Sequence, residues 1–201
     1  MSWIKTINFE DADPKLKRIY NRIAGPNNTL DNVLTIHSLR PHTLVGHMGL
    51  YKSVLHNSNN SLPKWYLEAL GVYVSTLNKC NYCVQHHSIG FKKAIQDQQK
   101  ANDFLKAVEN DSLEQYFDLK YLSGMRYAKK LTLELNTINQ EDIKTLKEVG
   151  ITDGQILEIN QVVSYFNYVN RSVLGLGVNL KGDILGLSPS DSDDPKNWSH
   201  Q

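Results

Sequence analysis

The sequence predicts an all-α fold, and three observations support that prediction. Apolar residues recur at the three- and four-residue spacing of helices along most of the 201-residue chain. Helix-capping residues and prolines separate these stretches, and no convincing pair of alternating strands is present. Hydrophobic residues make up 40% of the chain and charged residues 21%, as in an ordinary folded protein. We therefore expect one helical domain over residues 1–180 and an extended tail, rich in Ser, Asp and Pro, over residues 181–201.

Three helices are predicted in the N-terminal part of the chain. The first begins with Asp13 as N-cap and Pro14 at the first helical position. Its apolar face is formed by Leu16, Ile19, Tyr20 and Ile23. A second, short helix within residues 31–40 is expected to stop before Pro41, because proline disfavours helical geometry in the residue that precedes it. The third helix follows over residues 41–56.

The stretch LPKWYLEALGVYVSTLN, residues 62–78, carries mixed signals. Its central VYVST is typical of a strand, whereas Leu67, Leu70, Val74 and Leu77 recur at helical spacing. We predict a helix, because the apolar pattern is longer than a usual strand. Helices are also predicted within residues 83–108 and 119–135.

Two further helices are predicted near the C-terminus. One runs from the cap Asn139 to the terminating Gly150, and the other opens with Thr152 and Gln155 at capping-box spacing. The second is long enough to be the central buried helix, with an apolar stripe of Ile156, Ile159, Val163, Phe166 and Val173. A polar patch on the same helix predicts buried hydrogen bonds or an interface rather than chemistry; it consists of Asn167, Asn170 and Arg171.

Charge and hydropathy exclude several classes of partner. The 22 basic and 21 acidic side chains are scattered and leave a net charge of +1, so no basic stripe is available for nucleic acid. No apolar run approaches the roughly 20 residues that span a bilayer. The N-terminus lacks the apolar centre of a signal peptide. We therefore expect a cytoplasmic protein that binds neither membranes nor nucleic acid, and a permanent disulfide scaffold is unexpected there.

The stretch NKCNYCVQHHSIGFKKA, residues 78–94, contains the only two cysteines of the chain. At about 100° per residue, Cys80, Cys83 and His87 fall on one helical face, with Gly90 leaving room above it. A structural disulfide closing four residues would add only about 2 kcal/mol. A structural zinc site lacks a second cysteine pair, although three ligands remain geometrically possible. Two inert buried thiols are the third alternative.

A redox pair accounts for more of the pattern than these alternatives. The thiolate is the nucleophilic form of cysteine, and both cysteines are expected in the first turn of a helix, where partial positive charge favours anions. His87, one turn after Cys83, is placed to accept its proton. The neighbouring thiol then converts an oxidised sulfur into a disulfide.

At this point the sequence resembles a known family. Glu68, Cys80, Cys83 and His87 match the E-x11-C-x2-C-x3-H pattern of the alkylhydroperoxidase D-like branch of the carboxymuconolactone decarboxylase superfamily. Residues 164–180, SYFNYVNRSVLGLGVNL, resemble the closing helix of its peroxidase-related subgroup. The resemblance extends over roughly residues 40–180. One departure is Tyr82, since alkylhydroperoxidase D itself has a histidine between its cysteines.

The resemblance implies an all-helical bundle, homo-oligomeric assembly and cysteine-based peroxidase activity without metal, haem or another cofactor. It implies that Cys83 is the nucleophile that becomes a sulfenic acid, and that Cys80 supplies a proton and closes the disulfide. His87 is then the base and Glu68 completes the relay, while a part for Tyr82 or His86 stays open. The expected partners are a small hydroperoxide and an unidentified thiol or dithiol reductant. The alternative is a non-enzymatic redox sensor or helical assembly module with an oxidisable cysteine pair.

Overall fold

The computed structural model describes residues 2–200. Within them the chain is helical, and its only β-type pairing is an isolated bridge between Pro189 and His200, so the all-α prediction is confirmed. None of these helices combines the length and the apolar character that crossing a membrane requires. The α-helices of the described residues are, in chain order, α1 (Pro14–Ile23), α2 (Asn32–Thr35), α3 (Pro41–Leu55), α4 (Lys64–Leu77), α5 (Asn81–Ile95), α6 (Gln98–Glu109), α7 (Leu119–Leu133), α8 (Gln140–Glu148) and α9 (Asp153–Gly175).

The backbone contacts divide the chain into two compact units. One consists of Met1–Asn59 together with Arg171–Gln201, and the other of Asn60–Asn170. The first unit therefore contains α1 to α3 and the C-terminal segment, and the second contains α4 to α8 and most of α9. The predicted limit of a single domain at residue 180 stays a prediction.

In the first unit, α1 packs against α3. The side chain of Asp13 accepts a hydrogen bond from the backbone N–H of Leu16 at 2.8 Å, which confirms the predicted N-cap. Leu16, Tyr20 and Ile23 are buried on the predicted face. The short helix predicted within residues 31–40 is a single turn, α2, followed by turns up to the start of α3.

The C-terminal segment is held against the end of α3 by a buried lysine. Lys52 is fully buried, and its Nζ donates to the backbone oxygen of His56 and to Oγ of Ser192, each at 2.9 Å. It also donates to the backbone oxygen of Ser190. The predicted tail, residues 181–201, contains no helix in its described part, but these bonds place it within a packed unit.

In the second unit, α4 is the buried centre. Every residue from Tyr66 to Ser75 is buried, and α4 packs most extensively against α5 and next against α7. A helix that is buried on all sides loses the polar face of an amphipathic helix, which explains the strand-like VYVST within it. The helix prediction is confirmed here. The stripe predicted on α9 is also buried, but the uninterrupted burial lies in α4.

Apart from the short α2, helix boundaries agree with the sequence except after α5. Asn139 caps α8 in a capping box with Asp142, and Thr152 and Gln155 exchange side chain to backbone bonds at 3.3 Å before α9, both as predicted. The helical stretch predicted over residues 83–108 is instead two helices. Gln96 adopts a left-handed backbone conformation, with φ of 52°, and Asp97 then caps α6. A left-handed residue cannot continue a right-handed helix, so α5 ends there.

Candidate redox site

The turn between α4 and α5 positions the first cysteine. Lys79 adopts a left-handed conformation with φ of 57°, its N–H bonds to the carbonyl of Thr76 at 2.9 Å, and the N–H of Cys80 bonds to the carbonyl of Ser75 at 2.8 Å. This pair of bonds is a Schellman motif, which ends α4 and turns the chain. Cys80 is consequently the N-cap of α5 and has non-helical backbone angles. The prediction that both cysteines lie in the first turn is therefore correct for Cys83 and wrong for Cys80.

The two thiols lie side by side. Both cysteines are free, and their sulfur atoms are 3.4 Å apart, which is hydrogen-bonding distance for sulfur and well beyond the roughly 2.05 Å of a disulfide bond. Both residues are buried, with 0% of Cys80 and 3% of Cys83 exposed. The structure therefore shows a reduced dithiol in which a small movement would bring the sulfurs to bonding distance.

The pKa values of the two cysteines are shifted in opposite directions. The hydrogen bond between the two sulfurs is the main reason why the pKa of Cys80 is lowered. The same bond, together with burial, raises the pKa of Cys83 well above its usual range. The raised pKa of Cys83 differs from the sequence-based expectation that this thiol ionises easily. In such a coupled pair the two ionisations belong to the pair as a whole.

Glu68 and His87 form a second pair, with His87 one helical turn after Cys83 on α5. Nδ1 of His87 lies 2.9 Å from Oε2 of Glu68, and only 3% of the Glu68 side chain is exposed. Lys64, one turn earlier in α4, has its Nζ 3.8 Å from the other carboxylate oxygen. A carboxylate at Nδ1 fixes the tautomer and the orientation of the imidazole, which directs Nε2 to proton exchange.

Two glycines make room for this pair. A Cβ atom on Gly90 would lie 2.9 Å from Cδ of Glu68, so the missing side chain lets the carboxylate lie against α5. A Cβ on Gly71 would lie 2.2 Å from the ring of Phe166, so α9 approaches α4 closely there. The Phe166 ring in turn packs edge-on against His87, with centroids 4.6 Å apart. The room that the sequence assigned to Gly90 is therefore occupied by the Glu68 carboxylate.

The sequence did not predict the polar side chains that surround the sulfurs. Asn170 of α9 is fully buried, and its Nδ2 donates a hydrogen bond to Oγ of Ser75 at 3.1 Å. Ser75 of α4 is also fully buried, and its backbone carbonyl accepts a hydrogen bond from the N–H of Cys80 at 2.8 Å. We assigned Asn170 to a polar patch without a chemical role. The spacing of Asn170 from Val163 and Phe166 places it on the buried stripe of α9. An asparagine on an apolar stripe could have indicated a buried polar side chain in this site.

Tyr82 and His86 lie next to each other on α5, with ring centroids 4.8 Å apart, and both are buried. Among residues 2–200, neither cysteine belongs to a group of three potential metal ligands whose ligand atoms lie within 4.8 Å of one another. The zinc alternative with Cys80, Cys83 and a histidine thus has no preformed ligand set in the described part of the chain.

No protein-family model and no curated protein matches the sequence. Solved structures do match the fold. The alkylhydroperoxidase AhpD core protein of Ralstonia eutropha JMP134, described as an uncharacterized peroxidase-related protein, aligns with a TM-score of 0.76 and 18% identity over 89% of this chain and 92% of its own. An uncharacterized peroxidase-related protein of Silicibacter sp. TM1040 aligns with a TM-score of 0.73 and 21% identity over 90% and 93%.

The debrominase Bmp8 is a third structural match. Its apo form aligns with a TM-score of 0.68 and 16% identity over 87% of this chain and 90% of its own. A cysteine-to-alanine variant of Bmp8, in complex with 2,3,4-tribromopyrrole, aligns with a TM-score of 0.69. Proteins described as peroxidase-related and a protein described as a debrominase therefore share this fold, and identities of this size establish the fold alone. The chain has the all-helical fold of the alkylhydroperoxidase D core.

Proposed function

We propose that the protein is a cysteine-based peroxidase, or thiol–disulfide oxidoreductase, that reduces small alkyl hydroperoxides. One observation carries the proposal: two free sulfurs 3.4 Å apart lie on a helix that also holds the histidine of a buried Glu68–His87 pair. A nucleophile, a resolving thiol and a base with its orienting carboxylate are the groups that this chemistry needs. The structural matches to peroxidase-related proteins support the proposal at the level of the fold.

The first step oxidises one cysteine. The thiolate of Cys83 attacks the terminal oxygen of the hydroperoxide, a sulfur–oxygen bond forms and the oxygen–oxygen bond breaks. The leaving alkoxide takes a proton from the neighbouring Cys80 thiol and departs as the alcohol. Cys83 is left as a sulfenic acid, and the peroxide has accepted two electrons from its sulfur.

The second step closes the disulfide. The thiolate of Cys80 attacks the Cys83 sulfur, and hydroxide leaves with a proton from protonated His87 to give water. A thiol or dithiol reductant then restores both thiols. The sum is one dithiol and one hydroperoxide giving one disulfide, one alcohol and one water.

The pKa shifts favour Cys80 as the nucleophile, whereas exposure favours Cys83. The pKa of Cys80 is lowered and that of Cys83 is raised, whereas Cys83 is the residue that retains some exposure. A proton moves readily between sulfurs 3.4 Å apart, so the resting position of the charge does not decide which sulfur reacts. Access of the peroxide decides it, and this argument favours Cys83.

The test is the steady-state consumption of tert-butyl hydroperoxide with dithiothreitol as reductant. We expect Cys83→Ser to lower the rate at least a hundredfold. Cys80→Ser should still form a sulfenic acid, detected by dimedone labelling in a single turnover, but should form no intramolecular disulfide. Gln85→Ala, on the exposed side of the same helix, is the matched control and should keep the full rate. Unchanged turnover in Cys83→Ser would refute the assignment of the nucleophile.

Two other functions use the same dithiol. A redox sensor would form the disulfide once per oxidant and would show no steady-state rate with dithiothreitol. The match to a debrominase favours a second reaction, in which a carbon–bromine bond becomes carbon–hydrogen, the dithiol becomes a disulfide and bromide leaves with a proton. Bromide release from 2,3,4-tribromopyrrole, measured beside peroxide consumption, distinguishes this reaction from the proposed one.

A further inference from the structure

The second unit contains an aromatic cleft that is separate from the thiols. It has a volume of about 570 Å³ and lies between the start of α4, helix α6 and the segment that leads into α7. Ile95, the last residue of α5, also lines the aromatic cleft, and it lies roughly 18 Å along the helix axis from Cys83, at about 1.5 Å per residue. Small-molecule sites have volumes of about 300 to 1,000 Å³, so the aromatic cleft has the size of such a site.

Four aromatic side chains line the aromatic cleft, namely Trp65, Tyr116, Phe117 and Tyr121. The rings of Trp65 and Phe117 are nearly parallel, with an interplanar angle of 13°. Tyr121 is inclined at 64° to Trp65, and Tyr116 at 84° to Phe117, so the rings present faces in several directions around one space. Trp65, Tyr116 and Tyr121 are only half-buried. The face of an aromatic ring attracts a cation within about 6 Å of its centroid, and tryptophan does so most strongly.

Two exposed carboxylates, those of Asp103 and Asp118, add negative charge to the same lining. Oδ1 of Asp118 accepts a hydrogen bond from the N–H of Tyr121 at 3.0 Å and caps α7. A helix N-terminus carries about half a positive charge, which is less than the full negative charge of the carboxylate. Burial and the charge of Asp118 raise the pKa of Tyr121, so the field of this carboxylate reaches the ring.

Lys100 is the basic side chain among the described residues that line the aromatic cleft. Its Nζ lies 3.7 Å from Oδ2 of Asp97, and 69% of its side chain is exposed. An exposed cation that is already paired with a carboxylate opposes a second cation only weakly, because solvent screens it. The aromatic faces and the charges of Asp103 and Asp118 therefore favour a cationic ligand.

We propose that the aromatic cleft binds a small organic cation of the quaternary ammonium class. A quaternary ammonium has no N–H group to donate, so it loses little hydrogen bonding when ring faces replace water around it. The carboxylates attract it at longer range and need not contact it. The size of the cleft favours a whole small molecule over a single side chain of another protein. The proposal does not rest on the chemistry of the cysteines.

The main experiment compares choline with 3,3-dimethylbutan-1-ol, a neutral molecule of the same shape in which carbon replaces the charged nitrogen. Binding is followed by the indole N–H signals in NMR spectra, and Trp65→Phe identifies the signal of Trp65. Trp3 and Trp198 belong to the first unit and serve as internal references. We expect choline to shift the Trp65 signal with a Kd of about 1 mM, and the alcohol to bind roughly tenfold more weakly.

A double variant, Asp103→Asn with Asp118→Asn, tests the carboxylates. It removes both charges but keeps the hydrogen bonds, because the asparagine Oδ1 can still accept from Gln99 and from the N–H of Tyr121. We expect choline to bind about fivefold more weakly at low salt, and the alcohol to bind as before. Sodium chloride at about 0.5 M should remove most of the difference between the double variant and the wild type.

Two single variants complete the test. Lys100→Gln removes the basic side chain of the lining and should tighten choline binding about twofold. Asp13→Asn is the matched control, since it removes one negative charge, keeps the N-cap of α1 and should leave choline binding unchanged.

Equal affinities of the wild type for choline and for the alcohol would overturn the proposal, and this comparison needs no variant to fold. So would a choline-induced shift at Trp3 or Trp198 in place of Trp65, weaker binding in Lys100→Gln, or the same loss in Asp13→Asn as in the double variant. Choline binding should be unchanged in Cys83→Ser. A protein that fails to turn over hydroperoxide can therefore still pass this test, and one that turns it over can fail.

Discussion

The position of the Glu68 carboxylate depends on the absence of a side chain at Gly90. It lies against Gly90 and bonds to His87 at 2.9 Å, and both contacts come from α5 while Glu68 belongs to α4. Burial of an acidic side chain is costly unless it is hydrogen-bonded, and the imidazole supplies that bond. A single methyl group added at Gly90 is therefore expected to disturb the contact between Glu68 and His87.

We expect Gly90→Ala to reduce turnover without unfolding the protein. The added Cβ would lie 2.9 Å from Oε2 of Glu68, so the carboxylate must move away from His87. Alanine gains about 1 kcal/mol of helix propensity over glycine, which offsets the displacement in stability. Peroxide turnover should fall at least tenfold while the melting temperature changes by only a few degrees.

The control for this prediction is Gly46→Ala in α3, where nothing lies within 4 Å of the added Cβ. It should raise stability by about 1 kcal/mol and leave turnover unchanged. Full activity of Gly90→Ala would show that the position of the Glu68 carboxylate does not matter for the reaction.

Helix α5, which carries both Cys83 and His87, is bounded by two left-handed residues that are not glycine. Lys79 precedes it and Gln96 ends it, with φ of 57° and 52°. The left-handed conformation costs a residue with a side chain roughly 1 kcal/mol or more, which glycine does not incur. The absence of glycine at residue 96 is also why the sequence predicted helix across this boundary. Asp97 is the N-cap of α6, and an aspartate at this position is a local indication that a new helix begins there.

Gln96→Gly should therefore stabilise the protein by about 1 kcal/mol, since glycine adopts the left-handed conformation without strain. Urea unfolding followed by circular dichroism measures the change. The matched control is Gln85→Gly, at an exposed position in the middle of α5, which should cost about 1 kcal/mol. A loss of stability in Gln96→Gly equal to that of the control would mean that residue 96 is not left-handed in solution.

Across the protein as a whole, acidic and basic side chains nearly balance, so stability should depend on pH mainly through buried groups. One such group is His47 in α3, which is buried against His37 with ring centroids 5.1 Å apart. Burial, with smaller contributions from His37 and His200, lowers the pKa of His47 to about 3. His47 is 3% exposed and therefore a packed residue.

The sign of the pH effect follows from which state binds more protons. Between pH 6.5 and about 3 the unfolded His47 is protonated and the folded one is neutral, so acid favours unfolding. Stability is fully present above pH 6.5 and should fall by about 1.4 kcal/mol for each pH unit below it from this group alone. Urea unfolding at pH 7.5, 6.0 and 5.0 measures this slope. His47→Gln should flatten it, and an unchanged slope in that variant would assign the effect to other groups.

Local periodicity by itself determined that the chain is helical, where most helices begin, and that Cys83 and His87 lie one turn apart. These properties depend on residues within about one turn of each other, so they can be read along the chain. The buried carboxylate of Glu68 was also predictable, because an acidic residue in an otherwise apolar helix needs a partner.

Only the tertiary structure decided what surrounds the sulfurs. Asn170 and Ser75 are 95 residues apart and meet because α9 packs against α4, a contact that no local spacing encodes. The order of ionisation in the cysteine pair was likewise beyond the sequence. The opposite pKa shifts of the two cysteines depend on the hydrogen bond between their sulfurs and on their burial, which only the packed structure shows.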